Sequence, residues 1–166
     1  EEGTVAPATA PAPPETPAAS ARPEIPQAEK DDPETKKLLG TAETQLDSAL
    51  EENPTWLLLS QEASKKFDIP VSTLFSIARF ESRFEATATL GEVTGLGQFW
   101  GPTWEAFMTE NPEFKGASRS DPRASFYAIA LYARKNATEC KIDVSAPNAA
   151  QLLYQAHHNG AGGYLA

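Results

Sequence analysis

From Val71 the apolar positions of the chain recur three and four residues apart. Val71, Leu74 and Ala78 form one stripe, Ile77 sits beside it, and Phe84 follows one turn later. This spacing predicts a helix with one face turned toward a core. The next position on the stripe is Glu81. Burying an unpaired carboxylate costs on the order of several kcal/mol unless it is neutralised or paired. Packing alone therefore does not explain Glu81.

The rest of the pattern is also helical. A first helix is expected in "TKKLLGTAETQLDSALEEN", with Gly40 its weak spot. "PTWLLLSQEASKKF" follows, with Pro54 near its first turn, and the Glu81 helix opens with Asp68 as cap and Pro70 just inside. After Phe84 the period fails. "EATATLGEVTGLGQFWG" mixes threonine and glycine and reads as a loop with a short β-ribbon. Pro102 starts a short helix. Asp121 caps a longer one, with Pro122 at its first position, a stripe of Phe126, Ile129, Ala130 and Ala133, and Arg134 and Lys135 near its end, where they would suit the helix dipole. "APNAAQLLYQAHHNGAGG" gives a last helix, broken at Gly160. With no βαβ alternation and no internal repeat, the fold class is mostly α.

Composition divides the chain. Residues 1–35 hold eight of the 14 prolines, and eight acids against two bases. They have almost no large apolar side chains and read as a disordered Ala/Pro/Glu-rich linker. Residues 36–166 carry 15 acids against 12 bases and form the expected folded domain. Neither part has the basic patch that draws nucleic acid, and no apolar run approaches the roughly 20 residues that span a bilayer. No signal peptide is visible, and a chain starting at Glu1 suggests a processed protein or an excised fragment. The single cysteine, Cys140, excludes an intrachain disulfide and a cysteine-based zinc cluster, and is expected to be a half-buried apolar residue.

Two readings of Glu81 follow. In one it reaches water past a shallow groove or pairs with Arg79 or Arg83. In the other it is a carboxylic acid in a semi-apolar pocket, which favours the protonated form and makes it a general acid for glycosidic bond cleavage. "TGLGQF" at 94–99 supplies groups of the matching kind. Gly95 and Gly97 permit close backbone approach to a ligand. Gln98 offers a donor and an acceptor to sugar hydroxyl and N-acetyl groups. Phe99, Trp100 and Trp104 offer flat faces for sugar rings, although Trp104 is expected in the core.

Glu81-Ser82, the spacing to "TGLGQF" and "AHHNGAGG" at 156–163 resemble the soluble lytic transglycosylase (SLT) family, of lysozyme-like fold. The lead-in "ASKKFDIPVSTLFSIARFESRF" is similar to that family's first catalytic helix. "GLGQFWGPTWEAF", "DPRASFYAIALYARKNA" and "LLYQAHHNGAGG" resemble its phage and alphaproteobacterial variant. The resemblance covers roughly residues 54–165. It implies that Glu81 is the catalytic acid/base and that Ser82 supports it. It also implies that Gly95, Leu96 and Gln98 line the cleft with Phe99, and that His157 takes the place of a tyrosine common in the last motif. His158 and Asn159 permit an alignment shifted by one residue. Gly97 stands where methionine or phenylalanine is usual, which is expected to loosen or widen the site, and Arg83 stands where a small residue is common. Family members usually continue past "GGYLA" with a helix that closes the cleft, so either Tyr164 stands in or the piece is incomplete.

The implied substrate is the peptidoglycan glycan strand, with no metal and no cofactor. The implied location is the periplasm, the cell envelope or a phage virion, with the tail reaching a larger assembly. A hydrolytic muramidase needs a second carboxylate, for which Glu85, Glu92 and Asp121 are the candidates. A single glutamate suits a lytic transglycosylase instead, since it can donate a proton and then take one back. A peptidoglycan-binding scaffold that no longer cleaves is the alternative from another class.

Overall fold

The computed structural model describes residues 42–166. The expected linker at 1–35 and the start of the first predicted helix, including Gly40, lie outside these residues. Six α-helices and a small antiparallel ribbon are described. They are α1 (Ala42–Glu52), α2 (Trp56–Phe67), α3 (Val71–Ser82), β1 (Thr89–Leu90), β2 (Val93–Thr94), β3 (Phe99–Trp100), α4 (Gly101–Glu110), α5 (Pro122–Glu139) and α6 (Ala149–Leu165), with a 3-10 turn at Pro112–Phe114. The ribbon has strand order β1-β2-β3, with Leu90 opposite Val93 and Thr94 opposite Phe99. The fold is mostly α, as the periodicity predicts.

The centre of the molecule is α5. Its residues Ala124 to Ala130 are all buried, as are Ala133 and Ala137. Small side chains there let α2, α3 and α6 approach closely, and all three pack on it. Aromatic rings fill the space between. Phe126 meets Trp56 at 5.9 Å and Phe75 at 5.7 Å between ring centroids, both edge to face. Asp121 caps α5 as expected, its carboxylate accepting from the Ala124 amide at 2.9 Å, with Pro122 at the first turn. Cys140 is a half-buried free thiol just past the helix, its pKa pushed up by burial and by the neighbouring Glu139.

Two capping expectations change. Asp68 does not open α3. It ends α2 in the left-handed conformation (φ 52°), its amide bonded to the Ser64 carbonyl, and Pro70 precedes α3 instead. A short polar residue tolerates that conformation, so aspartate fits either end of a helix. Arg134 does not serve the end of its own helix either. It donates to the carbonyls of Phe67 (2.8 Å) and Asp68, satisfying the last turn of α2.

Candidate active site

Glu81 occupies the last turn of α3 with 8% of its surface exposed. The 3.6-residue period puts it on the face that carries Leu74, Ile77 and Ala78, all fully buried against α5 and α6. Of the two readings, the water-facing one fails. Arg83 is exposed beyond the helix, and Arg79 donates to Gln45 Oε1 at 3.3 Å. Among the described residues, a group facing the carboxylate is His158 of α6, whose Nδ1 lies 3.4 Å from Glu81 Oε1. Beyond Ser82 the chain turns away through two consecutive non-glycine residues with left-handed backbones, Arg83 (φ 53°) and Phe84 (φ 63°). Such a pair is uncommon, and strain of this kind concentrates at functional sites.

The Gly-rich loop 95–98 is the second part of the site, and it is built tightly. A Cβ on Gly95 (φ 90°) would lie 2.0 Å from the Arg119 carbonyl oxygen, so the close approach made possible there is to the protein's own backbone. Arg119 also clamps the ribbon, donating to the carbonyls of Glu92 (2.9 Å) and Phe99 (2.8 Å). A Cβ on Gly97 would fall 2.5 Å from the Phe99 ring and 2.9 Å from Ile129. The expectation that Gly97 widens the site is therefore corrected, because Phe99 and Ile129 fill the space a larger residue would take. Gln98 is buried with a left-handed backbone (φ 49°). Its amide nitrogen donates to the carbonyls of Ala88 (2.9 Å) and Gly95 (2.8 Å). Those two acceptors fix which way the amide faces. The Oε1 atom is left as a buried acceptor with no hydrogen-bond partner among the described residues. A buried polar atom in that state suits a donor brought by a ligand.

The two parts meet through α6. His157 and His158 are adjacent, about 100° apart around the helix axis. His157 Nε2 donates to the Gly97 carbonyl at 2.7 Å, and its ring lies edge-on to Phe99 at 5.3 Å. His158 faces Glu81. One histidine thus anchors the loop and the other meets the carboxylate, just before α6 kinks at Gly160 (φ 70°, ψ 158°). The register shifted by one residue is the one that puts a histidine on the glutamate.

Three further residues that the resemblance places in the site, Ser82 as support for Glu81 and Leu96 and Phe99 as cleft lining, are buried. Ser82 is buried and donates to the Ala78 carbonyl at 2.8 Å within its own helix. Leu96 is fully buried, and Phe99, 5% exposed, packs among Trp104, Tyr132 and His157. Trp104 is in the core, as expected, its indole donating to the Ala117 carbonyl at 2.9 Å. Aromatic surface does appear at a position the motifs did not single out. Phe80, 45% exposed, lies beside Tyr154 (4.8 Å) and under the Arg79 guanidinium (4.5 Å). Among the other acids, Glu85 is exposed, Asp121 is the α5 cap, and Glu92 Oε2 accepts from the Trp100 indole at 3.2 Å on the exposed ribbon.

No curated protein and no solved structure matches the chain. A family model described as transglycosylase SLT domain matches residues 40–166, which include α3 with Glu81, the glycine loop and the histidine helix. The chain belongs to the transglycosylase SLT domain family, whose substrate is peptidoglycan.

Proposed function

We propose that this domain is a peptidoglycan lytic transglycosylase that cleaves the β-1,4 bond between N-acetylmuramic acid and N-acetylglucosamine and releases a 1,6-anhydromuramoyl end. The observation that carries this reading is the buried Glu81 carboxylate facing His158, while the other acids the sequence offers have different placements. Glu92 is bound to Trp100, Asp121 caps α5, and Glu85 is exposed. One carboxylate is enough for this route. Glu81 protonates the bridging oxygen as the bond to C1 breaks. The carboxylate so formed takes the proton of the C6 hydroxyl as its oxygen closes on C1, and the acid is regenerated. Gln98 Oε1 is a suitable acceptor for a sugar hydroxyl or N-acetyl N–H.

The Gln-Phe ending of the glycine motif and a last motif running Ala-His with later glycines support the phage and alphaproteobacterial variant of the family. A cell-envelope, periplasmic or virion setting accords with such a substrate, and so does a place in a larger assembly. Mass spectrometry of glycan fragments from digested peptidoglycan tests the reaction. Anhydro ends, one water lighter than reducing ends, are expected. Reducing ends would assign a hydrolase, and binding without fragments would assign a scaffold.

A further inference from the structure

In the cycle above Glu81 loses a proton to the bridging oxygen and regains one from the C6 hydroxyl. A group suited to holding it lies across the interface between α3 and α6. His158 Nδ1 is 3.4 Å from Glu81 Oε1, a close approach that is not yet a hydrogen bond, and Oε1 is closed off from solvent. The imidazole also has an aromatic neighbour. Tyr154, one turn earlier on α6, lies 5.7 Å from it at a 35° tilt, and Tyr154 in turn rests on Phe80, over which the Arg79 guanidinium is stacked. His157 is occupied elsewhere, on the Gly97 carbonyl. Among the described residues, the titratable and charged groups around His158 include Glu81 and Arg79 from α3, and Tyr154 and His157 on its own helix.

We propose that His158 is a positioning residue for Glu81. Its neutral imidazole, protonated at Nδ1, closes the 3.4 Å gap and donates to Oε1 when substrate is bound, leaving Oε2 as the oxygen that exchanges protons with the substrate. This rests on the reading of Glu81 as the acid/base. In the first step the Oε2 proton passes to the bridging oxygen. The Nδ1–H bond to Oε1 then becomes charge-assisted and strengthens as the carboxylate forms. In the second step Oε2 takes the C6 hydroxyl proton, and His158 keeps its own proton throughout. The stack of Arg79, Phe80 and Tyr154 fixes the ring so that little ordering is left to do during the reaction.

The test compares His158→Leu, His158→Asn, His158→Gln and Glu81→Gln on soluble glycan chains, reading kcat and KM for anhydro-product release. Asparagine carries its amide nitrogen near the position of Nδ1, whereas glutamine carries it farther out. His158→Leu is expected to lower kcat by about tenfold to a hundredfold, the range for groups that orient a functional side chain, with KM nearly unchanged. His158→Asn is expected to recover most of that loss and His158→Gln little of it. If His158→Leu fails to fold, the contrast between Asn and Gln decides. Glu81→Gln inactive with His158→Leu at wild-type kcat, or with Asn no better than Gln, would overturn this inference and leave the proposed reaction standing. An active Glu81→Gln would overturn both.

Discussion

Helix α5 and the end of α3 lie side by side in one core and obey different rules. In α5 every local choice agrees with the fold. Asp121 caps it, Pro122 opens it, small and aromatic side chains fill its buried face, and Arg134 satisfies carbonyls of the neighbouring helix. At the end of α3 and in the facing loop the choices conflict with stability. A carboxylate is buried, Arg83, Phe84 and Gln98 hold left-handed backbones, and the Gln98 Oε1 has no hydrogen-bond partner among the described residues. Consistency across levels marks scaffold, and a cluster of violations marks the place where something other than folding set the residues.

Substitutions sharpen that contrast. The largest loss of stability should come from α5. Phe126→Ala removes a fully buried ring that touches Trp56 and Phe75, and is expected to destabilise by about 3–5 kcal/mol, lowering the thermal midpoint by more than about 10 °C. A fall of only a few degrees would mean that α5 is not the centre of the core. Gly95→Ala comes next. The new Cβ meets the Arg119 carbonyl at 2.0 Å with φ at 90°, so a cost of about 1–3 kcal/mol is expected together with a distorted Gln98. Gly101→Ala, with open space around it, serves as the control and should be neutral or slightly stabilising. Equal melting of the two variants would show that the loop is not held as tightly as its contacts indicate. Asp121→Ala should cost about 1 kcal/mol through the lost cap, with catalysis unchanged in the folded protein. Apart from the Gly101→Ala control, the smallest shift should come from Glu81→Gln, an almost isosteric change in a region not optimised for stability. Its midpoint should stay within a few degrees of wild type.

The same contrast explains what could be read from the sequence. The helices, the Asp121 cap, the break at Gly160 and the buried carboxylate on the α3 stripe all follow from periodicity and capping chemistry, which are local properties. Asp68 was legible as a helix terminus but not as which one, since a short acid suits both an N-cap and a left-handed C-cap. The loop was less legible. Side-chain burial in a glycine-rich segment has no period, so Leu96 and Phe99 read as cleft lining although both are buried. Gly95 looked like room for a ligand and is room for Arg119. The choice between His157 and His158 depends on how α6 is rotated against α3. That is a tertiary property, and a rotation of one residue exchanges their roles.

The most direct test is the activity of Glu81→Gln on purified peptidoglycan, compared with wild type after both are shown to be folded. The amide keeps the shape and removes the acidic proton and the base it leaves behind. Loss of general acid catalysis alone is worth about 10²–10⁴ in rate, and more when the same group is also the base. No anhydro product above background is expected from a variant that melts like wild type. Retention of more than about a tenth of wild-type activity, well outside that range, would contradict the assignment of Glu81 as the acid/base.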